Sequence, residues 1–389
     1  MRMHRVASLL FGMVLGGSAG CSSGSTHAGG SSDGGPPGTA EGGLVEAADA
    51  AAYPDGPIAL EGGSDPDDAS VPLEASGADA APPPADSGKA DTGHAAHEAG
   101  PTGWPLTWKE EYVGTMASLY AVSGSSVTDV RVVGQEGTSA SSDGSGTWGV
   151  ASPTVIQTAG DLHAIWSGSA SATFVVGVPG AIYRVTTPPP WSSEAFGGQD
   201  LLGVWGSGPS DVYAVGVLGT IMHRVASGDW YAQQSGVSTT LLGAWGSGAG
   251  DVYVVGEGGT ILHGDSSGAW TPDTSAGVSV TLEGIWGSGP TDVYAVGAGG
   301  LILHGNRGSW NVEASGTSAA LTAVWGSSAT DVYVVGSAGT ILHSSGNGTW
   351  SQGPVLNALY DYSSVWGSGP GDVYITEFNG NESEVVHGR

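Results

Sequence analysis

One block recurs along the second part of the chain: Trp-Gly-Ser-Gly, then Asp-Val-Tyr-Ala-Val-Gly, then Thr-Ile-x-His, then Gly-x-Trp. Aligned on the Trp-Gly step, copies fall at Trp205, Trp245, Trp286, Trp325 and Trp366, with a divergent one at Ile165-Trp166-Ser167-Gly168. The period is roughly 40 residues, within the range of propeller blades. A seventh copy lies upstream, where Ala121-Val122-Ser123-Gly124 leads to Asp129–Gly134 and ends at Gly146-Thr147-Trp148; here Val122 is read in the place of the Trp. A solenoid would need a shorter period and fewer strands per turn.

Each copy divides into four short runs of β composition separated by Gly, Ser and Asp turns, the pattern of a small antiparallel sheet. In one copy these runs are Thr240 to Trp245, Val252 to Val255, Thr260 to His263 and Trp270 to Pro272. The expected fold is all-β, a seven-bladed β-propeller of four-stranded antiparallel blades. The last copy stops at Arg389 before its Gly-x-Trp strand, whereas Thr107-Trp108-Lys109-Glu110 stands alone before the first copy. The Trp108 segment is therefore expected to pair with the strand ending at His387, closing the ring and covering two sheet edges.

Ahead of residues 104–389 the composition changes twice. Met1 to Arg5 is basic, and Val6 to Gly17 is an apolar run too short for a membrane span, so residues 1–20 read as an export signal. Ser18-Ala19-Gly20-Cys21 resembles the lipobox of bacterial lipoproteins, with Ser18 where Leu is usual, and Cys21 is the only cysteine. The resemblance implies acylation of Cys21 and, with Ser22 next, an outer-membrane lipoprotein. Residues 21–103 are rich in Gly, Ala, Ser, Pro, Asp and Glu, with Tyr53 the one aromatic and Lys89 the one Lys or Arg. Such a segment cannot bury enough apolar surface to offset chain entropy, and as a tether it reaches roughly 50 Å. Asp65, Asp67 and Asp68 lack the closing Glu of a calcium loop.

The chain carries a formal charge of −28, and residues 104–389 alone hold six Lys and Arg against 23 Asp and Glu. That balance repels phosphate backbones and argues against nucleic acid. The two Trp columns are read as packing between blades. One Asp per blade before the second strand (Asp129, Asp211, Asp251, Asp292, Asp331, Asp372) is read as holding its turn by accepting backbone N–H bonds. The His column (His223, His263, His304, His343, His387) lies too far out for neighbouring blades to share a metal ion, so no metal and no cofactor are expected.

Ser141 to Trp148, Asp265 to Trp270 and Ser345 to Trp350 resemble, in degenerate form, the Asp-box hairpin of propellers of the BNR type, which include sialidases, sortilin-like receptors and Ycf48-like assembly factors. The resemblance spans Trp104 to Arg389 and implies the fold, while fold alone does not carry function. A sialidase-like site would need an arginine trio, and only Arg131, Arg184, Arg224, Arg307 and Arg389 are available, scattered over the repeat. Loops after the first strand are nearly uniform, whereas those between second and third strands differ from copy to copy, which suits recognition. The expected site therefore holds Glu136, Glu257, Glu377, Phe378 and Asn379. The expected function is a monomeric, surface-anchored, non-enzymatic binding or scaffold propeller for a protein or glycan, touching the membrane through its lipid. An assembly factor for a membrane complex is the alternative, and a glycan-active enzyme a weaker one.

Overall fold

A computed structural model describes residues 104–151, 160–185, 191–195, 197–265, 267–378 and 383–389; the expected signal, Cys21 and the tether lie outside them. The chain divides into two units, Met1–Pro84 and Ala85–Arg389, and every described residue belongs to the second.

Seven four-stranded antiparallel sheets form the seven blades. Blade 1 runs Leu119–Ser126, Asp129–Gly134, Ser139–Ser142 and Trp148–Ala151, and blades 2 to 6 begin at Leu162, Leu201, Leu241, Leu282 and Leu321. Blade 7 is composite: Asp361–Gly369, Asp372–Phe378 and Glu384–Gly388 are completed by Trp108–Tyr112 from the other end of the domain. Those two segments pair antiparallel from Trp108↔Gly388 to Tyr112↔Glu384, as the missing strand of the last copy led one to expect. The first strands of successive blades touch one another around the ring, and that of blade 7 returns to that of blade 1.

There is no single core. Each of the seven apolar clusters lies between two neighbouring blades. The reason is the second strand, which is covered on both faces: Val212 and Ala214 pack toward blade 2, Tyr213 and Val215 toward blade 4. Period-2 alternation thus divides the strand between two neighbours rather than between core and water.

The Trp-Gly step is a contact between blades. A Cβ added to Gly124, Gly206, Gly246, Gly287, Gly326 or Gly367 would lie 2.5–3.0 Å from the Trp indole of the preceding blade. Blade 1 corrects the sequence alignment by one residue. Ser123, not Val122, occupies the Trp position, because Ser123 pairs with Arg131 as Trp205 pairs with Tyr213. The next blade has Ser167 where the others have Gly, and its N–H donates to Ser123 Oγ at 3.1 Å. Where no indole intrudes, a side chain is tolerated. Gly326→Ser is therefore expected to cost about 1–3 kcal/mol by overpacking against Trp286. A urea denaturation series should show that cost shrinking in a Trp286→Ser background, which reproduces the Ser123–Ser167 pair.

Inner strands run longer than their sequence suggests. In blade 4 the strand is Leu241–Gly248, so the Gly-Ser-Gly read as a turn belongs to the ladder. Two register shifts per inner strand account for this, one between Leu241 and Gly243 and one between Gly246 and Gly248, and all seven blades repeat them. They are β-bulges, each re-aiming one side chain.

Candidate functional site

The lower bulge carries Ser in six blades: Ser125, Ser207, Ser247, Ser288, Ser327 and Ser368, with Gly168 in blade 2. Its hydroxyl donates to the Asp four residues on, 2.5 Å in blade 3 (Ser207 to Asp211) and 2.6 Å in blade 4 (Ser247 to Asp251). The other carboxylate oxygen meets the His of the third strand, at 2.7 Å for His223 and 2.8 Å for His343. The Asp column is thus structural as expected, but its partners are a hydroxyl and, in five blades, an imidazole, with Arg131 in its place in blade 1, rather than the turn's N–H groups. Register explains the pairing: Tyr213 sits opposite His223, so Asp211, two residues back, is its diagonal neighbour on the same face. The Tyr ring stacks on that imidazole, with centroids 4.1 Å apart in blade 3 and 4.0 Å in blade 5.

From the His the chain of bonds leaves the blade. His223 Nδ1 meets Gln233, His304 Nδ1 meets Glu313, and His387 Nδ1 meets Glu111, at 2.7–3.1 Å. Each of these residues also accepts from the fourth-strand Trp of the next blade: Trp270 to Gln233, Trp350 to Glu313, Trp148 to Glu111. The sequence signal for this bond is a carboxylate or amide three residues after the fourth-strand Trp, and it went unread. Blade 6 has Gly353 there; Trp104 fills the space, and the buried Trp108 Nε1 of blade 7 has no partner among the described residues. Burial pushes the Glu111 carboxyl up, but the hydrogen bonds from His387 and Trp148 and the neighbouring positive charge outweigh it and hold Glu111 below the ordinary carboxylate value. Its contribution to closure is present above that ordinary value and is lost as pH falls through the lowered one.

A Ser, an Asp and a His in contact invite comparison with a nucleophilic triad. The order is wrong for one. Asp stands in the middle, so the hydroxyl donates to a carboxylate and no imidazole reaches it to take its proton. Three of the five described arginines are held by acids on their own or the preceding blade, Arg131 by Asp129 and Arg184 and Arg224 by Glu194, and Arg389 turns to His387 and Gly144 O.

The upper bulge is different in kind. Its residues are Tyr120, His163, Leu202, Leu242, Glu283, Thr322 and Ser363, half-buried in every blade. They stand near the start of the innermost strands, beside the loops between second and third strands, since Gln135 N–H bonds to Ser118 O and Glu257 N–H to Thr240 O. Neighbours touch around the ring: Tyr120 stacks on His163 with centroids 5.5 Å apart. Ser363 Oγ donates to Leu119 O and Thr322 Oγ1 to Tyr362 O, so the hydroxyls of blades 6 and 7 turn to backbone. Blades 1 to 4 contribute the larger arc of Tyr120, His163, Leu202 and Leu242, followed by Glu283 in blade 5. Sequence repeats showed only a varied residue after the leading Leu; the bulge that re-aims it is a matter of register.

The residues expected from the sequence are not gathered at one place. Glu136 is exposed on a tight turn in a left-handed conformation at φ 53°. Glu257 is half-buried, with its carboxylate accepting from Thr240 N–H. Glu377 is a correction: it belongs to a strand that extends to Phe378, is fully buried, and faces blade 6 rather than solvent. Burial, with Glu384 and then Glu110 beside it, pushes its carboxyl up to about 9. Phe378 ends the same strand, and Asn379 lies outside the described residues.

Among solved structures the fold is shared with Ycf48 bound to a D1 peptide (18% identity, TM-score 0.60, covering 72% of this chain and 96% of that one). It is shared with Ycf48 from Cyanidioschyzon merolae (17% identity, TM-score 0.58, 72% and 98%). A catalytically inactive virginiamycin B lyase from Staphylococcus aureus with quinupristin also matches (12% identity, TM-score 0.62, 72% and 99%). At these identities the likeness is one of fold. No protein-family model matches the chain, and no curated protein is similar to it at a significant level.

Proposed function

We propose that the protein is a non-enzymatic recognition propeller whose site is the ring of upper-bulge residues, and that its ligand is a segment of a protein partner. One observation carries this reading. Of two bulges repeated in seven blades, the lower is nearly invariant and satisfied within the blade, while the upper differs in almost every copy. A fold that spends one set of bulges on architecture and varies the other concentrates its individuality at one end of the axis. Apolar Leu202 and Leu242 beside Tyr120 and His163 suit a side chain of moderate size, and Glu283 with the acidic surroundings favours a basic neighbour on the partner. Ycf48 bound to a D1 peptide is an instance of a similar fold taking a peptide.

In this reading the Cys21 acyl anchor and the tether of residues 21–103 hold a monomeric propeller at the outer membrane. Service to a membrane complex during its assembly is the second reading, favoured by the likeness to Ycf48. The test is site-specific photo-crosslinking from position 120 in cells, with crosslinking compared in Leu202→Ser/Leu242→Ser and in Ala249→Lys on the uniform face. One crosslinked polypeptide, lost in the first variant and kept in the second at unchanged melting temperature, is the expected result. Equal crosslinking in both, or release of reducing ends from a glycan array by the wild-type protein, overturns it.

A further inference from the structure

One blade breaks the repeat at the start of its inner strand. In blades 1 to 6 the first residue of the inner strand is Leu and it pairs with Gly: Leu119↔Gly134, Leu162↔Gly177, Leu201↔Gly216, Leu241↔Gly256, Leu282↔Gly297, Leu321↔Gly336. A Cβ on any of those glycines would sit 1.9–2.2 Å from a backbone carbonyl. Blade 7 instead pairs Tyr362 with Glu377, a polar pair in which a carboxylate stands where the other blades admit no side chain.

Around that pair the closing strands add two more carboxylates. Glu110, Glu377 and Glu384 each offer an oxygen within 4.8 Å of the others. Glu110 comes from the N-terminal strand, and Glu377 and Glu384 from the C-terminal hairpin. Among the described residues, neither Glu377 oxygen nor one of Glu384 has a hydrogen-bond partner. Tyr362, the cross-strand partner of Glu377, is fully buried, and its hydroxyl has no partner among the described residues. Buried carboxylates persist when paired or when they coordinate a metal, and among the described residues neither Glu377 nor Glu384 has an ion pair with a Lys, Arg or His.

We infer that Glu110, Glu377 and Glu384, with the Tyr362 hydroxyl, form a site for a hard divalent cation, calcium in particular, that latches the two ends of the propeller together. Three carboxylates can supply up to six oxygens, and among the described residues no nitrogen or sulfur ligand joins them, a set that suits calcium over zinc. Joining strands from opposite ends of the domain, the ion would bind the closed ring and not the opened chain, and so would stabilise closure by mass action.

The experiment is calorimetric titration and thermal melting of the full chain, stripped with EDTA and dialysed, in calcium up to about 5 mM, beyond the dissociation constants of most extracellular calcium modules. Saturable heat and a rise in melting temperature are expected, both abolished in Glu377→Gln. Should that variant fail to fold, Tyr362→Leu/Glu377→Gly restores the pair found in the six other blades and is expected to melt independently of calcium. No calcium effect on the wild-type protein, or an undiminished effect in these variants, overturns the site and leaves the cluster as carboxyls sharing a proton.

Discussion

A chain that begins at Val113 will not fold, while one that begins at Trp104 will melt as the full-length protein does. Losing Trp108–Tyr112 removes the outer strand of blade 7 and uncovers the edge of Glu384–Gly388 along its whole length. It removes Trp108, which is 2% exposed, and a buried indole of this kind is worth about 3–5 kcal/mol. It also strips Glu111 from the buried His387 and from Trp148 of blade 1, and losing hydrogen bonds to a carboxylate costs about 1.5–3 kcal/mol more. Together these approach the whole stability of an ordinary domain, about 5–15 kcal/mol. Near-ultraviolet circular dichroism on heating is the measurement: a cooperative transition in the longer chain and none in the shorter. A cooperative melt in the shorter chain would mean that blade 7 holds with three strands.

Trp286→Ala is expected to cost about 3–5 kcal/mol, read as a shift in the midpoint of urea unfolding. The indole stacks on Tyr294 of its own blade and lies against Gly326 of the next, so it stands in two clusters at once. Because a propeller has no common centre, nothing behind the Trp can relax into the cavity except the neighbouring blade. Losses below about 1 kcal/mol would place the residue with surface substitutions and contradict the packing role.

Repetition made the architecture readable. Seven copies, four runs in each, and a missing last strand matched by a stray Trp108 segment lead to the topology without reference to contacts. What could not be read depends on register. Val122 was aligned with the Trp column because it is apolar, yet the strand pairing puts Ser123 there, and the compensating Ser167 on the inner strand of the next blade has meaning only once neighbouring blades are seen in contact. The Asp and His columns were noticed separately; their spacing of 12 residues becomes a bond only when the hairpin sets Tyr213 opposite His223. Glu377 looked like loop because every other blade turns at that Gly, whereas in blade 7 the strand continues and carries the carboxylate into the seam. The upper-bulge ring was hidden for the same reason. An unpaired residue inside a ladder leaves no mark on hydrophobic periodicity, so Tyr120, His163, Leu202 and Leu242 read as ordinary positions of an apolar strand.

Both the recognition ring and the proposed cation site presuppose that the ends of the domain are knitted into one blade. Native-state amide hydrogen exchange addresses that without altering the protein. Amides of Trp108–Tyr112 engaged in the ladder with Glu384–Gly388 should exchange only through the opening that frees the second strands, with the protection seen at Val332 to Val335 in blade 6. If Trp108–Tyr112 exchanges orders of magnitude faster than that reference strand, the ring is open at this seam and the account fails.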